Sequence, residues 1–257
     1  MKRILDLTVS ACALLLLAPL LALAALWIFS EDRHSPWFRG MRVGRAGVPF
    51  RMLKFRSMRV DAWKTGVNST SAGDSRITRP GRWLRRTKLD ELPQFFNVLL
   101  GHMSLVGPRP QVAADASLYT AEERRMLTIR PGITDLASIV FSDEGEILQG
   151  SADPDLMYNQ IIRPWKSRLA LLYLDHQSLL VDGKIIWLSG LCLVSRPRAL
   201  AGVQDLLRDW GAGERLRSMA QRNTPLVAYP PPGAEAVVDK YVDKSVDQYI
   251  QAHSGGA

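Results

Sequence analysis

From Leu7 to Phe29 the chain runs for 23 residues without a charged side chain. As one helix at about 1.5 Å per residue this stretch is about 34 Å long, enough to cross the hydrocarbon core of a bilayer. Pro19 falls near its middle. A proline ring clashes with the carbonyl four residues earlier and removes a hydrogen bond, so the pattern predicts a kink or break there. Broken at Pro19, the arms are about 18 Å and 15 Å long, each too short to cross alone. Lys2 and Arg3 flank the start, and Arg33 and Arg39 the end. Positive charge prefers the cytoplasmic side, so if both flanks stay there the segment turns back through one leaflet. Two other readings compete. A cleaved signal peptide is suggested by Lys2-Arg3, the leucine run and Ala22-Leu23-Ala24, but Asp6 and the basic flank after position 32 argue against export. A simple transmembrane anchor is the other.

Beyond this segment the periodicity changes. Met41 to Met58 mixes apolar alternation with Gly44, Gly47 and Pro49, which predicts a β-hairpin. Asp61 to Asp74 is polar and reads as a mobile loop. Ala121 to Ile129 predicts a short helix capped by Thr120, with Glu123 at the capping-box position. Asp155 to Leu180 suits a longer helix interrupted near Pro164, and Val181 to Ser189 a further one. Asn223 to Gly233, with its run Pro230-Pro231-Pro232, reads as an extended linker. After it, Val238, Val242, Val246, Tyr249 and Ile250 recur at helical spacing and predict an amphipathic helix.

Charge sharpens the picture. The 257 residues carry a formal net charge of +8. From Arg33 to Arg59 there are eight Lys or Arg residues and no Asp or Glu. A basic stretch beside a hydrophobic segment favours anionic lipid head groups or phosphorylated substrates. No nucleic-acid motif accompanies it, so nucleic acid is not an expected partner. The two cysteines, Cys12 and Cys192, have no metal or C-x-x-C spacing, which leaves disulfide and zinc frameworks unsupported.

The chemistry concentrates between Arg82 and Pro110. Arg76, Arg79, Arg82, Arg85, Arg86 and Lys88 lead, with no acid after Asp74, into the adjacent carboxylates Asp90 and Glu91. Cations bind an anionic substrate, and a carboxylate among them can attack phosphorus or hold a divalent metal. Asp90 is placed to cap a helix that has Pro93 in its first turn and ends at Gly101. Read alone, Asp90 only caps that helix and Glu91 is a solvated first-turn acid.

The wider stretch K-x-D-E-L-P-Q-x-x-N-V-L-x-G-x-M-S-L-V-G-P-R-P resembles the signature of the bacterial sugar transferases, the monotopic phosphoglycosyl transferases. Lys54-Phe55-Arg56-Ser57-Met58, Arg76-Ile77-Thr78-Arg79 and Arg130-Pro131-Gly132-Ile133-Thr134 agree, and Tyr173, Ser178 and Asp182 resemble the family's Y-x-x-x-x-S-x-x-x-D. The likeness covers roughly residues 1–189. It implies transfer of a sugar phosphate from a nucleotide diphospho-sugar, expected to be UDP-linked, to a polyprenyl phosphate, as the initiating step of bacterial glycan assembly. It also implies the re-entrant form of the apolar segment, although Ala18-Pro19 stands where the family often has Ser-Pro. In this reading Asp90 is the nucleophile and forms an aspartyl-phosphosugar intermediate; spacing alone also allows direct transfer. Glu91 helps hold Mg²⁺ or Mn²⁺ with Asp90, or orients it. A catalytically inactive membrane-bound adaptor is the alternative, and the intact Asp90, Glu91 and Arg109 argue against it.

Arg109, between Pro108 and Pro110, is the expected phosphate clamp, because its planar fork binds phosphate oxygens bidentately. Lys54 and Arg56 have period-2 spacing, would share one strand face, and are candidates for the diphosphate or lipid head groups. Arg86 and Lys88 are candidates for similar work. The chain has T-D-x-A-S where many members have T-G-x-A-Q, so Asp135 and Ser138 are candidate nucleotide-sugar contacts. His102 reads as structural. The expected protein is mostly helical α+β: a re-entrant membrane helix over 1–30, a catalytic domain over 31–200 on the cytoplasmic face of the bacterial inner membrane, and an extension over 201–257. The absence of a large region before the apolar segment reads as the family's minimal form. The sugar, the pathway, the role of the extension and any homo-oligomer stay open.

Overall fold

The computed structural model describes residues 1–65, 70–71 and 73–240. The amphipathic helix expected beyond Val238 and part of the polar loop expected over 61–74 lie outside these residues. The described chain is mostly helical with two small sheets.

Helix α1 runs from Lys2 to Asp32 without interruption. At about 1.5 Å per residue it is about 46 Å long. The break expected at Pro19 is not present. Pro19 and Leu15 lie on the exposed side, so the ring and the carbonyl it frees face away from the domain. The helix instead presents one seam to the protein: Asp6, Ser10, Leu21, Ala24 and Ile28 are buried, at spacings that keep returning to one face. Leu21, Ala24 and Ile28 meet Phe55 and Leu84, with Leu89 and Leu92 beside them. Burying a side chain such as Ile28 contributes about 2 kcal/mol. On the other side Leu15, Leu16, Leu23 and Leu26 are each at least 64% exposed, an apolar stripe that the domain leaves uncovered.

Both ends of α1 are fastened to the same domain. Arg3 donates to the carbonyls of Val98 at 2.7 Å and Met103 at 3.3 Å. At the far end Asp32 takes both guanidinium nitrogens of Arg56 at 2.6 Å. A leader cleaved near Ala24 would break the first of these attachments. The signal-peptide reading therefore finds no support in the fold.

The expected hairpin is strand β1 (Trp37–Val43) paired antiparallel with β2 (Pro49–Phe55). Helix α2 (Arg79–Arg86) is capped by Thr78, whose hydroxyl accepts from Gly81 N at 3.1 Å. Helix α3 (Gln94–Leu99) then docks on β2, and strand β3 (Ser104–Val106) follows. After α4 (Ala113–Ser117), strand β4 (Gly132–Thr134) pairs parallel with β3. The helix expected over 121–129 is a 3-10 turn, Glu123–Thr128, with the capping box in place: Thr120 N donates to Glu123 Oε2 at 3.0 Å and Glu123 N to Thr120 Oγ1 at 3.1 Å.

The remaining helices build the main core: α5 (Leu136–Val140), α6 (Glu144–Ile147), α7 (Pro154–Met157), α8 (Arg163–His176), α9 (Leu179–Val194), α10 (Arg196–Asp209) and α11 (Glu214–Gln221). A π-helical turn, Tyr158–Ile162, joins α7 to α8, so the interruption near Pro164 appears just ahead of it. Helix α10 runs across position 200, and its Val203, Leu206 and Leu207 lie in the same core as Leu169 and Ile185. The proline run is extended but is no free linker. Tyr229 stacks on Trp165 at 4.6 Å, and Tyr229 N donates to the Gln160 carbonyl at 3.0 Å, strapping the segment across α8.

Candidate active site

Three pieces of chain converge. The first is the turn that carries the carboxylates. Lys88 adopts φ 58°, in the left-handed region, and swings the chain out of α2 into a 3-10 turn, Leu89–Glu91. Asp90 therefore sits in this turn and does not cap α3, which starts at Gln94 with Pro93 before it. The second piece is β2. Asn97 of α3 pairs with it as a strand would: Leu53 N donates to Asn97 Oδ1 at 2.8 Å, and Asn97 Nδ2 donates to the Arg51 carbonyl at 2.8 Å. This docking sets Lys54 against the turn, where its Nζ lies 3.0 Å from Glu91 Oε1.

The third piece carries Arg109. Gly107 N donates to the Thr134 carbonyl at 3.1 Å, and Gly132 N to the Pro108 carbonyl at 3.0 Å. The two glycines approach so closely that a Cβ on Gly132 would overlap the backbone of Gly107. Arg109 N is held at 3.3 Å by Asp135 Oδ2. From this pinned loop the Arg109 fork reaches Glu91 with both arms, Nη1 to Oε2 at 3.2 Å and Nη2 to Oε1.

The two carboxylates are thus in opposite states. Burial pushes Glu91 up, but Arg109 and then Lys54 outweigh it and hold its carboxyl well below the usual range. Asp90 is only 5% exposed and accepts no hydrogen bond among the described residues. Its largest influence is burial, which raises its carboxyl above the usual range; Lys54 opposes this and Glu91 adds to it. Burial likewise lowers the Lys54 ammonium against the pull of Glu91.

The other expected site residues fall in several places. Arg56 is not in the site. Strand β2 ends at Phe55, so the shared face ends there, and the Arg56 guanidinium is taken by Asp32 and by the carbonyl of Ser35 at 2.8 Å. Arg86 is exposed on α2, with no hydrogen bond or ion pair to the carboxylates among the described residues. Lys88 is exposed, and its charge reaches both Asp90 and Glu91. Asp135 is 3% exposed and both its oxygens are taken, one by Arg109 N and the other by Ser138 N at 2.6 Å as the cap of α5. It thereby acts as scaffold for Arg109, with one backbone donor on each oxygen. The Ser138 hydroxyl is buried without a partner.

Four residues enter that sequence reasoning did not single out. Arg85 turns inward from the basic run: its Nε donates to Ser57 Oγ at 2.9 Å, and burial lowers its guanidinium while Asp90 pulls the other way. Its place on the inner face of α2, beside Leu84, was the available signal. Glu144 pairs with Lys166, and its charge reaches Arg109; these two come from α6 and α8, and no local motif marks them. Gln94 is fully buried with neither amide atom partnered, one turn beyond Asp90.

No group of three or more metal-binding side chains occurs among the described residues. Asp90 and Glu91 do offer adjacent hard oxygen donors, and Asp90's are unengaged, which fits a divalent cation completed by substrate phosphates.

The sequence model of the family described as bacterial sugar transferase matches residues 1–196. A Caulobacter vibrioides protein named UDP-glucose:undecaprenyl-phosphate glucose-1-phosphate transferase is 41% identical over 172 residues, 64% of this chain and 64% of its own length. The exopolysaccharide production protein PSS of Rhizobium leguminosarum bv. phaseoli is 39% identical over 198 residues, covering 73% of this chain and 92% of that protein. An Aeromonas hydrophila protein named UDP-N-acetylgalactosamine-undecaprenyl-phosphate N-acetylgalactosaminephosphotransferase is 38% identical over 142 residues, 54% of this chain and 34% of its own length.

Proposed function

The chain belongs to the bacterial sugar transferase family, and from that premise we propose that it transfers a sugar 1-phosphate from a nucleotide diphospho-sugar to undecaprenyl phosphate or a similar polyprenyl phosphate, opening the assembly of a bacterial glycan. The observation that carries this reading is the split carboxylate pair: Glu91 clamped by Arg109 and Lys54, and Asp90 desolvated and unbonded beside it. The names of the relatives support a UDP-linked donor and differ in the sugar.

In the proposed route an Asp90 oxygen attacks the phosphorus that bears the sugar. The bond to the other phosphate breaks, the nucleoside monophosphate leaves, and an acyl phosphate remains on Asp90. An oxygen of the polyprenyl phosphate then attacks the same phosphorus and returns Asp90 as carboxylate, giving a polyprenyl-diphospho-sugar. Arg109 and Lys54 exchange Glu91 for phosphate oxygens as the polyanionic donor arrives. Bound Mg²⁺ or Mn²⁺, held by Asp90 and Glu91, would neutralise charge on the transferring phosphate.

The proposed seat is the cytoplasmic face of the bacterial inner membrane. The support is α1, an apolar helix long enough to enter a bilayer with both ends fastened to one domain, which argues for both flanks on the same side. The test is the purified protein in lipid nanodiscs with polyprenyl phosphate and a panel of nucleotide-sugars. Release of nucleoside monophosphate with one donor is expected. Its absence with every donor, despite a folded protein, would overturn the reading.

A further inference from the structure

The first two turns of α1 grip β3. Asp6 accepts Ser104 Oγ at 2.8 Å and Leu105 N at 3.2 Å. Lys2 Nζ donates to the Val106 carbonyl at 3.1 Å and forms an ion pair with Asp182. Tyr173, buried at 1% exposure, donates its hydroxyl to Asp182 Oδ1 at 2.6 Å, with its oxygen 3.4 Å from Lys2 Nζ. Each residue of β3 thus meets α1, and its last carbonyl meets the half-buried Lys2 ammonium beside the buried Tyr173 and Asp182. Gly107, Pro108 and Arg109 follow directly.

We propose that Lys2, Tyr173 and Asp182 form a latch that positions Arg109, so that the apolar helix is part of the phosphate clamp as well as a seat for the protein. This rests on the reading of Arg109 as the clamp. Gly107 is confined against the backbone of Gly132, and a proline fixes the backbone on each side of Arg109, so a displacement at Val106 passes into Arg109 with little slack to absorb it. The cluster acts as a unit. Without Lys2 the Asp182 charge is buried and uncompensated, and without Asp182 the ammonium loses the partner that holds it at Val106.

The test uses the full chain in lipid nanodiscs. Lys2→Met and Asp182→Asn should each raise the donor KM about tenfold, with kcat and the polyprenyl-phosphate KM within about twofold. The double variant should be no worse than either single one, as members of one network are not additive. Lys2→Arg should recover most of the loss. Tyr173→Phe keeps the ring packing and removes only the hydroxyl; a rise of about threefold in donor KM is expected, which guards against misfolding of the charge variants. Hydrogen exchange at the amides of Gly107 and Arg109 reads the latch without turnover and should be faster in Lys2→Met. Unchanged exchange at these amides would overturn the latch. So would a parallel loss in kcat and both KM values with a lowered Tm. Exchange that responds in a protein that turns over no donor would uphold the latch and sink the proposed function separately.

Discussion

Arg109 holds Glu91 by both arms of its guanidinium, so a fork shaped for phosphate is filled by a carboxylate in the structure. Glu91→Gln should break the two-armed contact and leave two partly buried cations without their counter-charge. We expect a loss of about 2 kcal/mol in stability, less than a fully buried pair would give because the side chains are partly exposed. Glu91's carboxyl is lowered in the folded state, so its contribution is present above the unfolded carboxylate range and is lost as pH falls through the folded value. Thermal melts of both proteins from neutral to acid pH should therefore converge in acid. Curves that stay parallel would refute the pairing.

Asp90 should behave in the opposite way. Asp90→Asn is expected to lower transfer by at least about 1000-fold, since an amide is a poor nucleophile toward phosphorus. The variant should nonetheless melt at a higher temperature at neutral pH. The Asp90 carboxyl is raised, so what it contributes is present below the unfolded range and lost as pH rises through the folded value. Wild type incubated with donor alone should gain the mass of a sugar phosphate at Asp90. Turnover by the asparagine variant near the wild-type rate would end the covalent scheme.

EDTA should stop turnover, and Mg²⁺ or Mn²⁺ should restore it. Zn²⁺ should restore less, because the described site offers hard carboxylate oxygens and no Cys or His cluster. Full activity after exhaustive chelation would remove the metal from the scheme.

Arg56→Ala should act on folding and leave donor affinity alone. Its bidentate pairing with Asp32 joins the end of α1 to the end of β2, and truncation is expected to cost about 2 kcal/mol. Asp32→Ala should cost a similar amount, with the double variant little worse. A donor KM that rose with Arg56→Ala at unchanged Tm would restore Arg56 to phosphate binding.

Single cysteines placed at Ile4 and at His34, with Cys12 and Cys192 replaced by serine, test the topology. Both should resist a membrane-impermeant thiol reagent in intact cells and react after lysis. Labelling of one position only, in intact cells, would mean that α1 crosses the membrane.

What the sequence disclosed was whatever a local period or a rigid motif encodes. The apolar run, the hairpin and the Thr120–Glu123 box are of that kind, and so is the closeness of Asp90, Glu91 and Arg109 that the long motif implies. The misses have physical causes. Period-2 spacing put Lys54 and Arg56 on one face, but the strand stops at Phe55 between them. Asp90 looked like a cap because nothing in Thr87-Lys88-Leu89 announces a left-handed Lys88. Lys2 and Arg3 read as charges that set topology, whereas they bind carbonyls about a hundred residues away in sequence. Glu144 and Lys166 come to the site through tertiary packing alone. The proline run suggested a spacer because a stacked contact such as Tyr229 on Trp165 has no trace in local composition.

The meeting of Gly107 with Gly132 has a consequence for how this chain can vary. The atoms that a new Cβ would strike at either position are backbone atoms, so no change of side chain opposite can make room. A substitution at one glycine has no compensating partner at the other, and the V-G-P-R-P and R-P-G-I-T segments cannot drift as a matched pair. A chimaera that draws the two segments from different lineages therefore keeps the crossing only where each of them supplies its own glycine.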